Sequence, residues 1–146
     1  MSSVVNTHIS ELIQQVMLYR DQGQWEKLEQ FFTEKPYIDD EALTNQAPSE
    51  RSSSTAIYNW RRIVRDFYYS AKHKIVGSMK IERTGRKEVA AESEVEARYY
   101  TAKGNTRYVL KMRGVYTYTF KKVAGRWKIA DMRFNVLSKS LEPINA

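Results

Sequence analysis

Residues 87–123 read KEVAAESEVEARYYTAKGNTRYVLKMRGVYTYTFKKV, and the alternation within them decides the fold. Apolar side chains recur at every second position: Val89, Ala91, Val95, Ala97 and Tyr99, then Leu110, Met112, Tyr116, Tyr118 and Phe120. A period of two places each set on one face of an extended chain. A turn over 102–105 folds the two runs into a hairpin, with Tyr99 opposite Tyr108, Ala97 opposite Leu110 and Val95 opposite Met112. The other face then sets Glu96 against Lys111 and Glu94 against Arg113. A slip of one residue would turn both patterns over, so the pairing is specified. Exposed acid–base pairs contribute well under ~1 kcal/mol each and select register more than they stabilise.

The same logic extends to both sides. A turn at Thr84-Gly85-Arg86 pairs Ile81 with Val89, Met79 with Ala91, Ile75 with Val95 and His73 with Ala97, which points His73 to the core face. A turn at Ala124-Gly125 pairs Phe120 with Ile129. Four long strands result, at 72–83, 87–101, 106–123 and 126–137. Across them the register gives a row of Gly77, Ser93, Gly114 and Asn135. Small side chains leave space, and glycine inside a strand permits a sharp bend. The reading is a curved antiparallel sheet with a cavity above this row; the alternative is a bend alone, with a helix filling the space. The last strand has two phases. Unbroken from Trp127 and Ile129, it turns Asp131, Arg133 and Asn135 inward. A bulge near Ala130-Asp131 turns Met132, Phe134 and Val136 inward instead.

Before residue 70 the period is helical. Ile9, Leu12, Ile13, Val16 and Met17 mark a helix over 7–22, with Thr7 placed to cap it and Gly23 to end it. Trp25, Leu28, Phe31 and Phe32 mark a second over 24–33, stopped by Pro36. Residues 37–43 read as a short strand or turn, and 44–54 as a polar, mobile loop. A third helix spans 55–69, with Ile57, Trp60, Ile63, Val64 and Phe67 on one side. The 146 residues form one domain.

Composition excludes several classes. There is no cysteine, hence no disulfide or thiolate chemistry. Two histidines, His8 and His73, are too few for a zinc site. No phosphate-binding glycine loop or nucleophile elbow occurs, and no cofactor is expected. Residues 1–10 lack a signal-peptide pattern and no run is long enough to span a membrane, so a cytoplasmic location is expected. The net charge of +7 is uneven. Residues 1–60 carry 4 basic and 9 acidic groups, net −5, and residues 61–146 carry 20 and 8, net +12. The paired glutamates neutralise the face that nucleic acid would need, so no nucleic-acid partner is expected.

Chemistry therefore centres on His73, an inward imidazole able to act as general base near neutral pH, or else a histidine satisfied by structure. Asp21, at the end of the first helix, borders its apolar stripe and could orient an imidazole; it could equally be a plain helix-end residue. Residues expected to line the pocket are Trp60, Phe67, Ile75, Gly77, Met79, Ser93, Val95, Tyr99, Met112, Gly114 and Tyr116. Weaker candidates are Asp40, Arg133 and Asn135. Asp39 and Asp40 are adjacent, so at most one faces the cavity.

The sequence resembles the nuclear transport factor two-like superfamily, in its SnoaL-like and scytalone dehydratase-like branch. The resemblance rests on Asp21-Gln22-Gly23-Gln24-Trp25-Glu26-Lys27-Leu28, Ile38-Asp39-Asp40, Trp60, His73 and the closing Gly125-Arg126-Trp127-Lys128-Ile129. It implies an α+β cone-shaped barrel, with three N-terminal helices packed on a strongly curved, mainly antiparallel sheet. It also implies a homodimer through the outer sheet face. In scytalone dehydratase an aspartate at the end of the first helix supports a histidine at the start of the long sheet. The resemblance assigns those places to Asp21 and His73, and implies a cofactor-free lyase or isomerase that removes a proton beside a carbonyl of a small hydrophobic or polyketide-like molecule. The family's tyrosine before the aspartate is Arg20 here, its tyrosine after the second helix aligns with Asp40, and its second histidine has no counterpart. Small subunits of ring-hydroxylating dioxygenases share the sheet pattern without an active site, and give the alternative of a binding or assembly module.

Overall fold

The computed structural model describes residues 2–144. Helix α1 (Ser2–Gln22) and a short α2 (Trp25–Glu29) lead into strand β1 (Phe32–Asp39). One turn of helix, α3 (Glu41–Thr44), a two-residue strand β2 (Ser49–Glu50) and helix α4 (Ser53–Phe67) follow. Four long strands complete the chain: β3 (Ser70–Gly85), β4 (Glu88–Lys103), β5 (Thr106–Val123) and β6 (Arg126–Ile144). They form one six-stranded sheet in the order β2-β1-β6-β5-β4-β3. The fold is α+β, with helices gathered on one face of a mixed sheet.

The helix ends follow from local chemistry. Gly23 closes α1 with φ +68°, the Gln24 amide donates to the Tyr19 carbonyl at 2.8 Å and the Gly23 amide to Arg20 at 3.3 Å. This is the Schellman arrangement, which needs a left-handed residue best supplied by glycine. The Ser52 hydroxyl caps α4 by accepting from the Thr55 amide. Thr7 does not cap α1, which already begins at Ser2. Helix α2 stops at Glu29 rather than running to 33. Phe32 is drawn into the sheet, where it sits beside Ile129 in a parallel pairing of β1 with β6. Pro36, which cannot donate to a ladder, falls where that pairing is interrupted between Phe32 and Tyr37.

The sheet keeps the expected faces but shifts the expected partners. In the β4–β5 hairpin Tyr99 lies opposite Leu110, Ala97 opposite Met112, Val95 opposite Gly114 and Glu96 opposite Arg113. The whole pairing is two residues from the expected one, because Lys103 pairs with Thr106 and the turn is only Gly104-Asn105. The Glu94–Arg113 ion pair forms all the same, diagonally, with Arg113 Nε donating at 2.7 Å. In the β3–β4 hairpin His73 does pair with Ala97 and Ile75 with Val95. Beyond Val76 the register slips: Lys80 meets Glu92, Ile81 meets Ala91 and Arg83 meets Val89. Residues 77–79 bulge out there, with Gly77 at φ +72°. Phe120 pairs with Ile129, and the β5–β6 turn at Ala124-Gly125 has both φ values positive, which suits a tight hairpin.

One core lies between sheet and helices. Ile9, Ile13 and Val16 of α1, Leu28 of α2 and Ile38 of β1 are fully buried, and Trp60 of α4 is 1% exposed. They pack on Val89, Val95, Ala97, Met112, Phe120 and Ile129 of the sheet. Among the described residues no helix is long and apolar enough to cross a membrane.

Candidate functional site

The end of α1 places two charged side chains in succession. Asp21 turns toward the start of β3 and grips His73 twice: Oδ2 accepts from the His73 backbone amide at 2.8 Å, and Oδ1 lies 2.6 Å from Nδ1. An acid at a helix C-terminus is unfavourably placed against the helix dipole. Two donors from one residue offset that placement. An ionised carboxylate only accepts, so Nδ1 carries the proton and, in the neutral ring, Nε2 is the free base. Nε2 lies 2.9 Å from the Tyr99 hydroxyl and accepts from it. The imidazole is 0% exposed.

Arg20 turns the other way, into the core, and is 5% exposed. Its Nη1 donates to the Tyr116 hydroxyl at 2.9 Å and its Nη2 to the Tyr99 hydroxyl at 3.4 Å. The guanidinium lies over the Trp60 ring, 4.5 Å from its centroid, in cation–π geometry. Trp60 Nε1 in turn donates to Asp40 Oδ2 at 2.5 Å. Asp40 Oδ1 accepts from Thr44 at 3.0 Å and lies 3.5 Å from Arg51. One continuous chain thus runs from Asp21 through His73, Tyr99, Arg20 and Trp60 to Asp40. Its polarity between Arg20 and Asp21 is uniform: each group donates toward the aspartate.

Burial sets the protonation states. It holds the His73 pKa below the usual imidazole value, helped by the Arg20 charge and opposed by Asp21. His73 is therefore a neutral base. Burial also raises the phenols of Tyr99, Tyr116 and Tyr118, which stay protonated. Arg20, whose guanidinium does not deprotonate in proteins, keeps its charge.

The structure brings together Asp21, His73, Trp60, Tyr99, Tyr116 and Asp40. Met112 and Val95 lie in the same core at 1% and 0% exposure. Other expected residues fall elsewhere. Phe67, at the end of α4, is 60% exposed. Ile75, Gly77 and Met79 line a separate open cleft between α1 and β3, facing Thr7, Ser10 and Gln14. The expected row of Gly77, Ser93, Gly114 and Asn135 does not form: Gly77 is in the bulge, Ser93 faces Tyr116, and Asn135 lies opposite Val115. The space above Gly114 is filled by Phe134, whose ring would stand 2.6 Å from any added Cβ. In β6 the register breaks between Ile129 and Asp131, so Ala130 is the bulge and Met132 and Phe134 point inward. Arg133 therefore points out, paired with Asp131 at 2.8 Å and stacked on Tyr37.

Arg20 is the participant that sequence reasoning left out of the site. Its helical phase carried the signal: it continues the buried stripe of Ile9, Ile13, Val16 and Met17 by three and four residues. A charged residue on a core stripe is the informative exception.

Comparison with known proteins agrees with this architecture. A scytalone dehydratase candidate from Novosphingobium aromaticivorans superposes with a TM-score of 0.77 at 17% identity, covering 96% of this chain and 91% of that one. A Kribbella flavida protein reaches 0.82 at 17% identity, covering 96% and 95%. A hexachlorocyclohexane dehydrochlorinase from Novosphingobium barchaimii reaches 0.79 at 14%, covering 96% and 91%. No curated protein matches the sequence significantly. The SnoaL-like domain profile matches residues 5–133, and the chain belongs to that family, within the nuclear transport factor two-like superfamily.

Proposed function

We propose that this protein is a cytoplasmic, cofactor-free lyase or isomerase that binds a small hydrophobic carbonyl compound in the cone and removes a proton beside the carbonyl. The observation that carries this reading is the two-point grip of Asp21 on His73, which leaves Nε2 as a buried neutral base. Ligand entering the core displaces the Tyr99 hydroxyl from Nε2. The C–H bond then breaks, its proton passes to Nε2, and its electron pair moves to the carbonyl oxygen as an enolate. Asp21 stabilises the imidazolium, and the Tyr99 hydroxyl donates to the enolate oxygen. In a dehydration the β-hydroxyl leaves and takes the proton back from Nε2, so the net loss is water. Similarity to a dehydratase candidate and a dehydrochlorinase is consistent with elimination chemistry of this kind.

The test uses deuterium exchange at carbon beside the carbonyl, and water loss, from aryl β-hydroxy ketones, followed by proton NMR. His73→Gln should abolish both while circular dichroism stays unchanged. Equal rates in the variant and the parent would overturn the assignment. The rate should fall with falling pH through the depressed His73 pKa, because only the neutral ring accepts the proton.

One observation favours a second reading, a non-catalytic binding or assembly module like the small subunit of ring-hydroxylating dioxygenases. The His73 ring is wholly buried and both its nitrogens are engaged. That reading expects no exchange above background on any substrate. In either case a homodimer through the outer sheet face is proposed, checked by sedimentation.

A further inference from the structure

Arg20 carries a permanent charge in the core, and its direct partners are two neutral phenols and an indole face. Burying a charge is costly unless an opposite charge accompanies it. Asp40 acts on Arg20 through its field, but the carboxylates spend their hydrogen bonds elsewhere, Asp21 on His73 and Asp40 on Trp60, Thr44 and Arg51. A second feature lies close by. The Tyr118 hydroxyl is buried and has no partner among the described residues. Its ring stacks on Tyr116, 6.0 Å between centroids, and its phenol lies within the field of Arg20. An unmade hydrogen bond in a core is itself destabilising. The guanidinium is also oriented for use: Trp60 fixes its plane, and its two outer nitrogens point side by side at Tyr116 and Tyr99. That edge is the fork a carboxylate fills with two parallel bonds.

We propose that Arg20, with Tyr116 and Tyr118, forms a receptor for the carboxylate of a small organic acid, so that the ligand is an acid rather than a neutral molecule. This rests on the reading of the cone as a ligand chamber and names the class of compound that enters it. The carboxylate displaces the Arg20 bonds to Tyr116 and to Tyr99, takes the guanidinium fork, and accepts from the freed Tyr116 hydroxyl and from Tyr118. The apolar remainder lies against Met112 and Val95.

The experiment measures binding by calorimetry to the full chain, with benzoate, phenylacetate and 2-naphthoate as probes and their amides as neutral matches. At least one acid should bind about tenfold or more tighter than its amide, as a charge-assisted bidentate pair gives over a neutral one. Arg20→Gln should remove that preference. Arg20→Lys keeps the charge without the fork and should leave a reduced preference, which covers the case in which Arg20→Gln does not fold. Tyr118→Phe should weaken the acid while raising the melting temperature, a pairing of effects that a purely structural role does not give. Failure of every acid to outbind its amide, or unchanged acid affinity in Tyr118→Phe, would overturn the proposal. His73→Gln should keep the preference. Selectivity can thus survive if His73 proves idle, and proton transfer on neutral ligands can survive if selectivity is absent.

Discussion

Replacing Asp21 by asparagine separates the grip on His73 from mere occupancy of the site. The carboxylate accepts from the His73 amide and from Nδ1. A carboxamide has one oxygen, so it can keep one of these bonds, while its NH2 group meets a second donor. The lost charge-assisted bond is worth about 1.5–3 kcal/mol, and the second donor, or the tautomer shift that moves its proton to Nε2, costs about 1–3 kcal/mol more. Asp21 is 20% exposed, so water relieves part of the second cost. Removing an acid from the helix C-terminus returns about 0.3–1 kcal/mol. The balance is a destabilisation of roughly 2–4 kcal/mol, or about 4–16 °C in melting temperature for a chain of this size. Urea titration measures it as a lower midpoint at unchanged slope. Nitrogen-15 NMR of the imidazole should also show the proton leaving Nδ1. A loss below about 0.5 kcal/mol with Nδ1 still protonated would refute the reasoning, since one bond cannot vanish and the other lose its charge without cost.

Three further outcomes are expected. The folded His73 pKa lies below its unfolded value, so the unfolded chain binds the extra proton first; stability contributed by the neutral ring is intact above about pH 6.5 and declines as pH falls toward the folded pKa. Urea midpoints at several pH values should show this decline, and His73→Gln should flatten it. Gly114→Ala would drive a methyl to 2.6 Å from the Phe134 ring and 2.5 Å from the Asn135 carbonyl; overpacking of this kind should cost about 1–3 kcal/mol, read from thermal melting. Glu94→Gln removes an exposed ion pair with Arg113 and should change stability by less than about 1 kcal/mol, again by urea titration.

The faces of the sheet were legible in the sequence because they depend only on parity. A shift of two residues keeps every side chain on its face, so the alternation in 87–123 could not distinguish Tyr99 opposite Tyr108 from Tyr99 opposite Leu110. Turn length decides between them, and Gly104-Asn105 makes the tighter turn. The bulge at 77–79 was hidden for a related reason: His73 and Ile75 obey one register, Ile81 another, and no single pairing describes both. Strand β1 was read only in part, as a short strand or turn over 37–43, because its first half reads as helix, it contains Pro36 and it takes its pairing from a strand about 90 residues later. The two phases of β6 were both visible, but the choice rests on Ala130, whose side chain has no preference to reveal. At the site, Asp21 and His73 were placed by the Gly23 helix end and the family resemblance. Arg20 escaped because its charge outweighed its phase, although burial follows phase.

Arg20 and Asp21 are neighbours on one turn of α1, so their side chains leave the helix about 100° apart. One serves the phenols of β4 and β5, and the other serves the first residues of β3. Turning α1 to improve either contact would spoil the other. The apolar stripe alone would tolerate a small rotation or a slide by one turn, since one aliphatic side chain replaces another there. The pair of opposite charges does not, and α1 is thereby indexed to the sheet in rotation and in height at once.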